Sequence, residues 1–126
     1  MKKELFAFTV LVLIFAASLL NIHYLNRLSG EIITLIEEAD GYISQEDWKN
    51  AQATAAKAHE KWESRGAYIH IVIRHSEIES VVNALSALIK EIYSEDEGAA
   101  RGAARAAAER MASVSSVERL RLRNIF

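Results

Sequence analysis

The side chains with the most obvious capacity for chemistry in this 126-residue sequence are its four histidines, His23, His59, His70 and His75. Two of them stand four residues before a glutamate, in the pairs His59 with Glu63 and His75 with Glu79. On a helix this spacing places both side chains on one face, where an imidazole and a carboxylate can share a metal ion. A di-metal carboxylate site in a bundle needs a Glu-x-x-His pattern on two helices, which this sequence lacks. We therefore expect no metal and no cofactor.

His75 falls within an apolar helical stripe, which is more typical of a hydrogen-bonded histidine in a core than of a ligand. Trp48 and Trp62 share one stripe of another predicted helix, where tryptophans are usually also core residues. The alternative is that His75, Trp48 and Trp62 bind a small ligand or a partner between helices.

Motifs of enzymes are missing from the sequence, which has no nucleophile elbow, no phosphate-binding glycine loop and no cysteine. We therefore expect a protein that is not an enzyme. Residues 24–98 carry seven basic and fourteen acidic side chains, so nucleic-acid binding is not expected. Without cysteine there is neither a disulfide framework nor a lipid-modified cysteine at the N-terminus.

The composition predicts an all-α protein, because proline is absent, alanine is abundant and strand-type alternation is rare. Three signals divide the chain into four helices: a turn at Asp40-Gly41, a helix stop at Gly66 and a capping box from Ser94 to Glu97. The third helix is predicted to run unbroken from Ile71 to Ile92. Short connections favour antiparallel neighbours, so we expect an antiparallel four-helix bundle.

The N-terminal segment is predicted to be a membrane anchor that continues into the first helix of the bundle. Residues 5–26 carry no charged side chain and, as a helix, span roughly 33 Å, which suffices for a bilayer core of about 30 Å. Lys2 and Lys3 outweigh Glu4, which favours a cytoplasmic N-terminus and an extracytoplasmic body. The alternative is a signal segment cleaved near Ala16-Ala17-Ser18.

These features divide the chain into an anchor or signal segment (1–26), a helical bundle (27–118) and a basic C-terminal tail (119–126). If the helices alternate in direction, the tail returns to the membrane, where Arg119, Arg121, Arg123 and Phe126 can contact anionic headgroups. The simpler interpretation, which we favour, has the apolar tail residues packing on the bundle and the arginines solvated.

Several motifs together resemble a known family. They are the Asp47-Trp48-x-x-Ala51 helix ending at Trp62, the stretch Ile73-Arg74-His75-Ser76-Glu77-Ile78, and the terminal Asn124-Ile125-Phe126. In this order, after a short basic start and one apolar helix, they resemble the domain of unknown function 4363, a family of small single-pass proteins found chiefly in spore-forming Firmicutes. The resemblance implies a membrane setting and an accessory role beside membrane proteins, and it implies no catalytic residues.

We therefore expect an extracytoplasmic, membrane-anchored interaction module whose partners are the bilayer and either a membrane protein or a second copy of the chain. The alternative is an extracytoplasmic bundle that binds or senses a small molecule or a metal.

Overall fold

The structure, a computed structural model, describes residues 1–125; the side chains of Val72, Ser115 and residues 117–125 lie outside this description. Within it every regular element is a helix and there is no strand, as predicted. The helices are α1 (Lys2–Ser44), α2 (Trp48–Ser64), α3 (Gly66–Val72), α4 (His75–Tyr93) and α5 (Glu97–Ile125).

Four of these helices form an antiparallel bundle, and α3 connects α2 to α4. In the bundle α1 and α4 each pack against both α2 and α5, so α1 lies diagonally opposite α4. We call the end where α1 enters the bundle, at Tyr24, the near end; α3 also lies there. The far end holds the two short links that join α1 to α2 and α4 to α5. The predicted bundle, entered by a long apolar N-terminal helix, is thus confirmed.

The core combines large and small side chains on alternating helices. Buried leucine, isoleucine and valine side chains come mainly from α1 and α4: Leu25, Leu28, Ile32, Ile36, Ile43, Ile78, Val81, Leu85, Leu88 and Ile92. On α2 and α5, by contrast, most of the buried side chains are alanines: Ala51, Ala55, Ala58, Ala100, Ala104 and Ala107. Each pair of neighbouring helices in the bundle therefore contains one helix with large buried side chains and one with buried alanines. The large side chains fill the space that the alanines leave. The alanine-rich helices can therefore approach their neighbours closely.

Both far-end links contain a Glu-Asp pair in the same arrangement, which was not predicted from the sequence. Glu46 and Glu95 have positive φ values of 58° and 55°, and each terminates the preceding helix in a left-handed conformation. The following aspartate caps the next helix: Asp47 Oδ1 accepts from the Asn50 amide at 3.4 Å, and Asp96 Oδ1 from the Ala99 amide at 3.1 Å.

These links displace the predicted helix boundaries. The turn expected at Asp40-Gly41 is absent, because α1 continues to Ser44. The capping box expected at Ser94 is also wrong, since the Ser94 hydroxyl donates to the Lys90 carbonyl within the end of α4. Gly66 is the first residue of α3, and the preceding helix ends in Arg65 as its C-cap.

The predicted third helix is in fact two helices, α3 and α4, separated by extended backbone at Ile73 and Arg74. Extending the α4 stripe backwards from Ile78 would bury position 71, whereas α3 buries Ile69 and the chain then buries Ile73. The extended backbone at Ile73 and Arg74 shifts the helical periodicity between α3 and α4, and Ile69 and Ile73 are both buried in the core. The β-branched run Ile71-Val72-Ile73, which lowers helix propensity, was the signal for this break.

Candidate interaction surface

The first half of α1 stands clear of the bundle. Its apolar side chains from Leu5 to Phe15 are exposed, whereas Leu25 is only 1% exposed. An 18-residue stretch of α1 has a mean hydropathy of 2.5 and no buried residue, so the helix is long and apolar enough to cross a membrane. A signal sequence shares this length and composition.

At the near end, α3 is held against α1 by an aromatic contact. The rings of Tyr24 and Tyr68 meet edge to face, with centroids 4.7 Å apart and planes at 73°. This is a favourable geometry for aromatic pairs, because the positive edge of one ring faces the negative face of the other. Ile69, the next residue of α3, is 1% exposed in the core. These two contacts fix α3 across the near end of the bundle.

A charged cluster on α1 and α2 lies beside the tyrosines. Lys61 Nζ lies 2.7 Å from Glu31 Oε2, and Arg27 Nε lies 3.5 Å from Glu31 Oε1. The hydrogen bond from Lys61 lowers the pKa of Glu31, and the positive charges of Lys61 and Arg27 act in the same direction against partial desolvation. Glu31 therefore holds α2 against α1 as an ionised group.

The three residues considered for a ligand site do not converge on one place. Trp62 is 2% exposed in the core near the near end, whereas Trp48 begins α2 at the far end and is partly buried. At 1.5 Å per residue they are about 21 Å apart along α2. His75, expected in the core, is exposed at the start of α4, where its Nε2 lies 3.0 Å from Glu79 Oε1. His75 keeps the spacing of the apolar stripe, but it is the first residue of α4 and lies at the exposed end of that stripe.

The other His-Glu pair shows the same simple arrangement. His59 Nε2 lies 3.7 Å from Glu63 Oε1 on the partly exposed surface of α2. Among the described residues, no group of three or more histidine, aspartate or glutamate side chains is arranged to hold a metal ion.

α3 and the residues at its two ends combine one exposed apolar side chain with cations. Ile71 is 82% exposed on α3; Arg65 precedes the helix, His70 lies within it and Arg74 follows it, and all three are exposed. Residues 64–76 contain no acidic side chain. That acid-free run was visible in the sequence, but its position became apparent only when α3 was placed at the near end.

Acidic side chains are in excess at the far end of the bundle. The acidic residues in and around the far-end links are Glu37, Glu38, Asp40, Glu46, Asp47, Glu91, Glu95, Asp96 and Glu97, against Lys49, Lys90, Arg101 and Arg105. The near end carries both signs: Arg27, Lys61, Arg65 and Arg74 lie there with the four histidines, and so do Glu31, Glu60, Glu63, Glu77 and Glu79. At the near end, α3 and the residues that flank it form the stretch without acidic side chains.

α5 runs antiparallel to α1, from the far end towards the near end. Arg101 Nε lies 3.2 Å from Asp40 Oδ1 near the far end, and α5 descends from there along α1. Its helical backbone continues to Ile125, about 16 Å beyond Val114. The side chains of Arg119, Arg121 and Arg123, as well as Phe126 itself, lie outside the described residues.

One protein family matches this chain. The profile described as "Domain of unknown function (DUF4363)" matches residues 19–125, which includes the whole bundle and α3. Neither a curated protein nor a solved structure matches the chain significantly. Because the match covers most of the sequence, the chain belongs to the DUF4363 family.

Proposed function

We propose that the protein is a single-pass, membrane-anchored helical module that lies outside the cytoplasm and serves as a non-enzymatic interaction partner of an envelope membrane protein or of a second copy of itself. The observation that carries this proposal is the character of α1. One unbroken helix is exposed and apolar over residues 5–20, and from Leu25 onwards it contributes to the core of the bundle.

The continuity of α1 supports an anchor that holds the bundle rigidly. A flexible linker would allow the domain to move freely, whereas a continuous helix transmits the position of the membrane segment to the bundle. The Leu5–Tyr24 stretch is about 30 Å long, which matches the bilayer core and places Tyr24 where interfacial tyrosines usually lie.

The orientation follows from the N-terminal charges. Lys2, Lys3 and the terminal amine precede the apolar stretch, so the positive-inside tendency places them in the cytoplasm and the bundle outside. The envelope setting rests on the resemblance to single-pass proteins of spore-forming Firmicutes.

An interaction role is supported by the placement of the chemistry-bearing residues. His75 is exposed and pairs with Glu79, Trp62 is buried in the core, and Trp48 lies at the opposite end of α2 from Trp62. They do not share a site, so the observations favour the interaction module over the ligand-binding alternative.

The natural absence of cysteine allows a clean test of topology in intact cells. Tyr93→Cys places a thiol at an exposed far-end position, and Glu4→Cys places one before the apolar stretch. We expect a membrane-impermeant maleimide to label the first variant in intact cells and the second only after lysis. The reverse pattern would overturn the proposed orientation.

The mass of the mature chain tests the anchor itself. An intact chain in the membrane fraction is expected, whereas a chain shortened near Ser18 and released from the membrane would identify a signal segment. Cross-linking through the thiol of Tyr93→Cys, followed by detergent solubilisation, then tests the interaction role. We expect a specific adduct with a membrane protein or a second copy, and recovery of monomer alone contradicts the proposal.

A further inference from the structure

The packing of the short helix α3 in the fold explains the residues on its inner side but not the exposed residue on its outer side. Ile69 packs in the core and Tyr68 contacts Tyr24, so the inner side of α3 is fully used. Ile71 is 82% exposed on the same helix. An exposed isoleucine of this extent is unusual where the rest of the bundle buries its large aliphatic side chains.

The comparison with the far end makes the position of Ile71 informative. After Leu20, the exposed large apolar side chains among the described residues are Ile71 and Tyr93. Tyr93 is followed by Glu95, Asp96 and Glu97, whereas Ile71 lies in the acid-free stretch 64–76. Among the described residues of the bundle, Ile71 is therefore the exposed large apolar side chain whose sequence neighbours are basic and not acidic.

The geometry also places α3 at a definite height along α1. Tyr68 touches Tyr24, which lies four residues, or about 6 Å, beyond the exposed Leu20. The headgroup layer on each side of a bilayer is of the same order of thickness, about 5 to 8 Å. If residues 5–24 span the hydrocarbon core, as their length of about 30 Å allows, then Tyr24 and the α3 residue that touches it lie where the core meets the headgroups.

We infer that α3 and its two ends form a lipid-binding surface, in which Ile71 inserts between headgroups while Arg65 and Arg74, before and after the helix, bind anionic phosphates of the bilayer that α1 enters. The inference rests on the proposed anchor. The lipid is identified by charge complementarity and by the continuity of this surface with the apolar half of α1. Binding there fixes the tilt of the bundle relative to the membrane, because α1 and α3 then meet the bilayer at two separate places.

The test uses the full chain in vesicles of phosphatidylcholine alone or mixed with phosphatidylglycerol. Single cysteines at Leu11→Cys, Ile71→Cys and Tyr93→Cys carry an environment-sensitive fluorophore, and lipids brominated at shallow positions serve as the quencher. We expect quenching at position 71 in anionic vesicles and none at position 93. The label at position 11 reports whether the anchor is inserted.

The charge requirement is tested with the double change Arg65→Gln and Arg74→Gln in the Ile71→Cys chain. Loss of two cations is expected to weaken binding of α3 to the anionic surface roughly 30-fold, since each contributes about 1 kcal/mol near such a surface. The matched control is Arg101→Gln with Arg105→Gln near the far end, for which we expect quenching at position 71 to be unchanged.

The outcomes separate the inference from the proposed function. Quenching at position 71 that needs anionic lipid and the two arginines supports the inference. If the label at position 11 is inserted but the label at position 71 is unquenched, the lipid-binding inference is overturned and the anchor remains. Equal quenching at position 71 in neutral and anionic vesicles has the same consequence. An emission spectrum typical of water from the label at position 11 overturns the anchor itself, and the lipid-binding surface with it.

Discussion

The rings of Tyr24 and Tyr68 meet edge to face at 4.7 Å, joining the helix that enters the bundle to the short helix that closes its near end. The two residues are far apart in the sequence, and they come together because α2 returns the chain to the level at which α1 begins to be buried. Because of this contact, α3 lies at the end of the bundle from which the exposed apolar half of α1 projects.

The tyrosine contact predicts a measurable coupling energy. Replacing Tyr24 and Tyr68 by alanine, singly and together, should reveal about 0.5–1.5 kcal/mol of interaction beyond the loss of buried area. The measurement is a double-mutant cycle from denaturant unfolding of the full chain in detergent micelles. Tyr93→Ala is the control, because this tyrosine is exposed and should change the free energy of unfolding little. Additive effects of the two tyrosine changes would contradict a direct contact.

The left-handed glutamates predict that glycine stabilises the far-end links. Glu46→Gly and Glu95→Gly should each raise the free energy of unfolding by about 0.5–1 kcal/mol, because glycine adopts positive φ without the steric cost of a Cβ. Glu38→Gly is the matched control, since it removes the same charge from an exposed helical position and should lower stability by about 1 kcal/mol. Destabilisation at positions 46 and 95 would show that these links do not hold left-handed residues.

The alternation of large and small core residues predicts sensitivity to added volume on α2 and α5. Ala55→Leu or Ala107→Leu should lower the free energy of unfolding by roughly 1–3 kcal/mol, since α1 and α4 already fill that space with leucine and isoleucine. The control Ala56→Leu lies on the exposed side of α2 and should be close to neutral. Thermal unfolding followed by circular dichroism distinguishes these outcomes, and equal effects at positions 55 and 56 would contradict the packing.

The contact of Glu31 with Lys61 predicts a defined pH dependence. Because the fold lowers the pKa of Glu31 from its ordinary value of 4.5, the contribution to stability is present above that value and is lost as the pH falls through the lower, folded pKa. Lys61→Met should raise the Glu31 pKa towards 4.5, as followed by a carbon NMR titration of the side chain. Arg27→Met should raise it less, since Arg27 lies further from the carboxylate. An unchanged Glu31 pKa in the Lys61 variant would show that this hydrogen bond does not form.

The helical periodicities were readable from the sequence where the buried stripe was long and regular. The residues Ala104, Ala107, Met111 and Val114 of α5 recur at helical spacing in the sequence, and all four are buried. The boundaries were less readable, because a positive φ at Glu46 or Glu95 is not a glutamate preference and is imposed by the packing of the helices on either side of each link. His75 was misplaced for a related reason: its spacing fits the stripe of α4, but the break at Ile73 and Arg74 makes it the first residue of that helix, where its side chain stays exposed.

The sequence by itself determined that the chain is helical, that its N-terminal stretch is long and apolar enough to span a membrane, and that its helices pack through heptad-like apolar stripes. These properties depend on local composition and periodicity, which every residue carries with it. Only the tertiary structure decided that Tyr68 reaches Tyr24, that Ile71 stays exposed at the near end, and that the acidic residues of two separate links meet at the far end. Those relationships depend on which helix ends meet, and the antiparallel packing of the whole chain sets that arrangement.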